Sequence, residues 1–91
     1  MRQLFIALAL AALIAPVPAA ERSRAIRAEF VRSNPCPATG QTRGACPGWQ
    51  VDHREALVCG GKDELPNLQW LDIATHKAKT RAEVKLCRTH H

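Results

Sequence analysis

The sequence predicts a small α+β domain held together by disulfide bonds, behind an apolar N-terminal segment. A chain of 91 residues has room for one small domain. An alternating pattern over Trp49–His53 predicts a strand, and a possible Asp72 cap before residues at three- and four-residue steps predicts a final helix over Ile73–Leu86. A domain of this size buries little apolar surface, so we expect its four cysteines to cross-link it.

Residues 1–19 have the pattern of a secretory signal peptide. An arginine at position 2 precedes an apolar run from Leu4 to Ala15, and small residues at Val17 and Ala19 suit the cleavage site. The run is shorter than the roughly 20 apolar residues of a membrane-spanning helix. An uncleaved membrane anchor is the alternative. We therefore expect a secreted or periplasmic protein with no membrane contact after cleavage.

Four cysteines in a short exported chain are typical of two disulfides. They are Cys36, Cys46, Cys59 and Cys87, and none of them form the close C-x-x-C pairs that are usual in zinc sites. Of the possible pairings we favour Cys36 with Cys46, across a turn-rich loop, and Cys59 with Cys87, from mid-chain to the C-terminal segment. A structural zinc site is the alternative.

The first predicted element is a helix over Glu21–Ser33, within an N-terminal segment assigned as residues 20–34. Ile26 and Phe30 lie four residues apart and share one face of this helix. An Asn-Pro pair then ends it, because the residue before proline avoids the helical region. Residues 35–48 contain three prolines and three glycines, which predicts loops and turns.

The second half of the chain supplies the strand and the final helix. Trp49 and Val51 occupy one face of the predicted strand, and polar side chains occupy the other. Asn67–Leu71 leads into the final helix, which Asp72 can cap. We expect the two tryptophans to be core residues, and the glycine pair at positions 60 and 61 to form a turn. Five residues share one side of the helix: His76, Lys79, Thr80, Glu83 and Cys87.

An ordered set of polar motifs lies between positions 52 and 80. Asp52-His53 comes first, followed by Gly-Gly-x-Asp, by Asn-Leu-Gln-Trp from Asn67, and by His-Lys-x-Lys from His76. Together with the CP-x-TG and CPG elements before it, this set resembles the HNH endonuclease family, in particular its small exported bacterial members. The resemblance implies a disulfide-stapled ββα-metal (HNH, His-Me finger) domain over residues 35–88, with two antiparallel strands, a loop and a helix around one metal ion.

The resemblance also implies roles for individual residues. Asp52 and His76 would be the metal ligands, His53 the general base, and Asn67 a catalytic-site residue that holds the His53 segment in register. Many family members place a further ligand four residues after the first helix ligand, where this chain has Thr80. Two protein ligands leave positions open for water and phosphate. Since neighbouring strand residues point to opposite faces, Asp52 and His53 need a bulge or a strand end to converge.

Hydrolysis of a phosphodiester bond needs an activated water and neutralisation of the phosphate charge. Imidazole is suited to accept a proton near neutral pH. One divalent ion, which could be Mg, Mn, Ni or Zn, would supply further charge stabilisation. Arg54 or Lys79 would contact the phosphate, and the net charge of +5 suits a polyanionic partner.

The expected function is therefore that of a metal-dependent endonuclease, a hydrolase that cuts DNA. RNA stays open as a second substrate. Little sequence specificity is expected, because no base-reading module is evident. We expect a monomer. One alternative is a non-catalytic, exported nucleic-acid-binding module, and another is a structural or interaction protein whose apolar faces serve a partner.

Overall fold

The computed structural model describes residues 15–88, so most of the predicted signal peptide lies outside the described residues. The order of elements is helix α1 (Ala19–Ser33), strand β1 (Trp49–His53), strand β2 (Leu68–Asp72) and helix α2 (Ile73–Arg88). The predicted α+β class is confirmed. Both helices lie within two residues of their predicted ends, and β1 has the predicted ends.

The two strands form an antiparallel pair with an unbroken register. Trp49 lies opposite Asp72, and His53 lies opposite Leu68. β2 occupies most of the stretch that the local pattern predicted to lead into the final helix, and it gives the hairpin its second strand. Two short 3-10 helices, Leu57–Cys59 and Leu65–Asn67, lie in the connection between the strands. The hairpin therefore has a long, structured loop in place of a tight turn.

Helix α1 packs on one face of the hairpin and forms the apolar core with it. Phe30, Val31 and Leu68 are buried together, and half-buried apolar side chains pack around them. The Phe30 and Trp70 rings lie 5.7 Å apart at a tilt of 55°. The indole nitrogen of Trp70 donates to the main-chain oxygen of Asn34 at 2.8 Å, just beyond the end of the helix. These contacts confirm the predicted apolar face of α1 and place Trp70 against the core.

Both disulfides have the pairing favoured from the sequence. Cys36 is bonded to Cys46, with Cα atoms 5.5 Å apart, and closes the loop between α1 and β1. Cys59 is bonded to Cys87, with Cα atoms 5.1 Å apart, and joins the inter-strand loop to the last turn of α2. Because all four cysteines are engaged in these bonds, they cannot form the alternative zinc site.

The glycine pair at positions 60 and 61 forms a turn that only glycine accommodates. Gly60 has φ +97°, a conformation that side chains strongly disfavour. A Cβ atom at Gly61 would overlap the backbone carbonyl of Glu55. The backbone therefore folds tightly back on itself here, and it directs the following loop, which contains Asp63, toward the end of β1.

Helix α2 follows β2 without any intervening loop, because Asp72 ends the strand and Ile73 begins the helix. The Asp72 carboxylate accepts hydrogen bonds from the backbone N–H and the hydroxyl of Thr75, at 2.9 and 2.7 Å, which confirms it as the helix cap. Over residues 15–88, neither helix has the length and apolar character needed to cross a membrane.

Candidate functional site

The candidate site is a cavity of about 280 Å³ along the unpaired edge of β1. Consecutive strand residues line it, including Asp52 and His53, and His76 on α2 lines it as well. Arg27 on α1 borders the same cavity. His53 is the last residue of β1, and the register has no bulge. The cavity is lined by all four strand residues from position 50 to 53, so both neighbours reach it without a bulge.

Asp52 is the buried charge of this site, with 4% of its surface exposed. Gln69, directly opposite on β2, donates to its Oδ2 at 3.0 Å. His76 Nδ1 lies 3.1 Å from Oδ1, and Lys79 Nζ lies 3.1 Å from Oδ2. Burial acts to raise the pKa of Asp52, but these hydrogen bonds and the Lys79 charge lower it below its ordinary 3.8. The carboxylate is therefore ionised at neutral pH.

His53 pairs with a second carboxylate, that of Asp63. The His53 Nε2 atom lies 2.9 Å from Asp63 Oδ1. The hydrogen bond with His53 lowers the pKa of Asp63 below its ordinary value, and Ser23 and Arg27 of α1 act in the same direction, against burial. An ionised carboxylate only accepts hydrogen bonds, so Nε2 carries a proton, and in the neutral imidazole Nδ1 is then the acceptor nitrogen.

Asp63 is a site residue for which no role was predicted. Its only signal was its place in the Gly-Gly-x-Asp motif, two residues after the turn at positions 60 and 61. His53 and Asp63 are ten positions apart, and this turn and the 3-10 helix Leu57–Cys59 bring them together. A carboxylate on the far nitrogen of an imidazole sets the tautomer and orientation of the ring.

Asn67 holds the loop between the strands by both ends of its side-chain amide. Its Oδ1 accepts from the Glu55 backbone N–H at 2.9 Å, and its Nδ2 donates to the carbonyls of Glu55 and Lys62 at 2.9 and 2.8 Å. Its own carbonyl accepts from the Arg54 N–H at 2.7 Å. Asn67 therefore positions the segment after His53, and these hydrogen bonds fit the register-holding role that the resemblance implies for it.

The two residues expected to bind phosphate are both engaged within the protein. Lys79 Nζ contacts Asp52, donates to the His53 carbonyl at 2.7 Å, and pairs with Glu83 at 2.7 Å. Burial acts to lower the pKa of Lys79, but its bonds to Glu83 and Asp52 raise it above its ordinary 10.5. Its three N–H groups are thus used, and in this arrangement Lys79 neutralises the site instead of facing a phosphate.

Arg54 is exposed at the end of the hairpin, and its side chain is less constrained than that of Lys79. One of its terminal nitrogens donates to Gln69 Oε1 at 3.2 Å. Gln69 in turn bonds to Asp52, so Arg54 is joined to the buried carboxylate through one amide. The cation that borders the cavity itself is Arg27, which the sequence did not single out.

Asp52 and His76 present the donor pair that the expected metal site requires. A carboxylate oxygen and an imidazole nitrogen lie 3.1 Å apart at one cavity, and both types of atom bind divalent ions. Within residues 15–88 no group of three or more His, Cys, Asp or Glu side chains is arranged to enclose a metal. The donors therefore suit an open site with two protein ligands, and they do not form a closed structural site.

Comparison with protein-family models, with curated proteins and with solved structures finds no match for this chain. The chemistry of the site is therefore inferred from its side chains. One histidine is oriented by a carboxylate, and a second, buried carboxylate lies beside a second histidine.

Proposed function

We propose that this protein is a metal-dependent endonuclease of the HNH, ββα-metal type, which hydrolyses phosphodiester bonds of DNA with little sequence specificity. One observation carries the proposal. Asp52, His53 and His76 line one small cavity on β1, where His53 is paired with Asp63 and Asp52 is paired with His76.

In this proposal His53 is the general base. The bond from Nε2 to Asp63 leaves Nδ1 with its lone pair, so this nitrogen can take a proton from an attacking water. The positive charge that then forms on the ring is stabilised by the Asp63 carboxylate. Asn67 fixes the loop on both sides of this pair, so the ring keeps one orientation through the reaction.

Asp52 and His76 would hold the divalent ion through the two atoms that now lie together. When bound, the ion would neutralise charge on the phosphate and stabilise the leaving oxygen. Lys79 keeps the buried Asp52 carboxylate paired with a cation, so the site is organised before the ion arrives. Arg27 borders the cavity and supplies positive charge for a phosphate group.

Plasmid nicking with and without EDTA tests this function. We expect nicking by the wild type that EDTA abolishes, and a loss of about a hundredfold or more in His53→Ala and in Asp52→Asn. Glu64→Gln is the matched carboxylate control, because Glu64 is exposed and its side chain caps no helix. Nicking that survives both His53→Ala and EDTA would contradict the proposal.

A second candidate is a binding module that holds nucleic acid without cutting it. The observation in its favour is the Lys79 ammonium, which pairs with the Asp52 carboxylate and balances its charge. Gel-shift assays in parallel with the nicking assay separate the two functions. Binding that is unaffected by EDTA, without nicking at any metal concentration, would establish the module.

A further inference from the structure

A second and larger groove, of about 870 Å³, lies between α1, the loop before β1 and the sheet. Helix α1 contributes one wall, with residues at helical spacing from Arg24 to Arg32. The opposite wall is the loop of residues 42–48, which the Cys36–Cys46 disulfide closes. Trp49 and Trp70 border the groove from the sheet. Its volume is in the range of ligand clefts, roughly 300–1,000 Å³.

The charge of this groove has one sign. Four arginines line it, and no aspartate or glutamate is among the lining residues. All four are exposed, and none takes part in the ion pairs found within residues 15–88. The four are Arg24, Arg27, Arg32 and Arg43. Exposed guanidinium groups that make no ion pair within the described residues are suited to pair with the phosphates of a nucleic acid.

The aromatic residues of the groove add a second kind of contact. Trp49 and Trp70 lie on neighbouring strands, and the register places them on the same face of the sheet, two positions apart. Both are half-buried, so part of each side chain is accessible. Aromatic faces inside a basic groove are the combination by which proteins stack the bases of an unpaired strand.

The groove is continuous with the candidate active site. Arg27, Gln50 and Val51 line both the larger groove and the cavity that contains His53. Arg27 also lies close enough to Asp63 for its charge to lower the pKa of that carboxyl. A strand that lies in the groove would therefore pass directly to the proposed catalytic residues.

We propose that the groove between α1 and the sheet binds an unpaired nucleic-acid strand, with arginines on its phosphates and Trp49 stacked on a base. This inference rests on the proposed nuclease function, because the groove would be the path by which the substrate strand reaches His53. It also makes single-stranded segments the preferred substrate over fully paired duplex.

Fluorescence anisotropy of a labelled oligothymidine, measured in EDTA, tests the groove without any cleavage. We expect Arg24→Gln/Arg43→Gln to bind about tenfold more weakly at about 50 mM salt, and the slope of log affinity against log salt to fall by about 1.4. The matched control is Lys77→Gln/Arg81→Gln, which removes the same charge from exposed positions on α2 that line neither cavity.

Variants of Trp49 test stacking separately from charge. Trp49→Phe keeps an aromatic face and should bind near the wild-type level, whereas Trp49→Leu should lose about tenfold in affinity. Urea unfolding of both variants shows whether each is folded under the binding conditions. A hairpin duplex of equal charge should bind more weakly than oligothymidine to the wild type, and it should respond little to Trp49→Leu.

The outcomes separate this inference from the function on which it rests. Groove variants that bind like the control pair, while metal-dependent nicking persists, would overturn the groove and leave the nuclease intact. Loss of binding in the groove variants, with no nicking by the wild type, would support the groove and reject the nuclease. Displacement of oligothymidine by polyglutamate at equal charge concentration would overturn the specificity for nucleic acid.

Discussion

The two helices pack on the sheet in very different ways. Helix α1 buries Phe30 and Val31 against it and forms the apolar core. Helix α2 has no buried residue, and its Leu86 is 61% exposed. It is held instead by the Cys59–Cys87 bond and by the polar contacts of Asp52. Helix α1 is therefore attached by hydrophobic burial, whereas α2, which carries the site residue His76, is attached by covalent and ionic bonds.

Removal of the Cys59–Cys87 bond should give the largest loss. In Cys59→Ala/Cys87→Ala we expect the free energy of unfolding to fall by about 3.5 kcal/mol, from the loop that the bond closes. Because α2 has little apolar packing, its amides should also lose protection from hydrogen exchange before those of α1. The control is Cys36→Ala/Cys46→Ala. The bond that it removes closes a shorter loop, and its loss should leave the amides of α2 protected. Equal protection of both helices in the first variant would contradict the comparison.

Phe30→Ala tests the hydrophobic attachment of α1 to the sheet. Truncation of this buried ring should cost about 3 kcal/mol in urea unfolding, since it leaves a cavity against Leu68 and Trp70. Here α1 should lose exchange protection first, the reverse of the disulfide variant. Leu86→Ala, at an exposed position of α2, is the control and should change stability little. A cost for Leu86→Ala as large as that for Phe30→Ala would mean that α2 also packs by burial.

Lys79→Met leaves the buried Asp52 carboxylate without its cation. We expect a loss of about 2 kcal/mol at neutral pH, which is less than the roughly 3–5 kcal/mol for a fully buried pair because Lys79 is 23% exposed. The folded-state pKa of Asp52 is below 3.8, so its contribution is present above that pH and lost as pH falls through the folded-state value. Acid should therefore destabilise the wild type more than Lys79→Met. Parallel pH profiles of unfolding would contradict this.

Asp63→Asn tests the pairing of His53 with little expected effect on folding. The amide of an asparagine can donate to Nε2. The neutral His53 ring would then carry its proton on Nδ1, and this nitrogen could no longer accept a proton from water. Nicking should fall roughly 10–100-fold, the range seen when a partner that orients an imidazole is replaced. The pH–rate profile should shift as well, which a purely structural defect would not produce. Glu55→Gln, an exposed carboxylate in the same loop, serves as the control.

Asp72→Ala should give the smallest effect in the series. It removes the two hydrogen bonds that cap α2, to the backbone and hydroxyl of Thr75. The pKa of Asp72 is lowered by these bonds, so its contribution is present above pH 3.8 and disappears in acid. The thermal midpoint should drop slightly at neutral pH, and wild type and variant should converge in acid. Asp72→Asn, which can still cap a helix, should retain most of the stability.

Much of the fold could be predicted from local pattern. The apolar spacing in α1, the alternation in β1 and the Asp72 cap each depend on neighbouring residues, and all three were confirmed. The resemblance implied a second strand, but the local pattern did not locate β2, because it is a five-residue strand that enters α2 without a loop. A run so short, with no turn residues behind it, has the appearance of the start of a helix.

The site was predictable only as a set of residue types. The motif order placed Asp52, His53 and His76 together, and all three line one cavity. The Asp63 partner could not be found in this way, because its approach to His53 depends on the turn geometry at positions 60 and 61. The engagement of Lys79 with three acceptors likewise depends on how α2 lies on the sheet, which spacing along one helix does not reveal.

The direct passage from β2 into α2 sets the rotational phase of the helix. Because Asp72 is paired in the sheet with Trp49, no loop residue separates the strand from the helix, and the first helical residue cannot rotate about the helix axis independently of the sheet. One residue inserted at this junction would rotate every α2 side chain by about 100° around the helix axis. His76 and Lys79 would then swing away from Asp52 together. The length of the chain at this single point is therefore as much a part of the site as the side chains themselves.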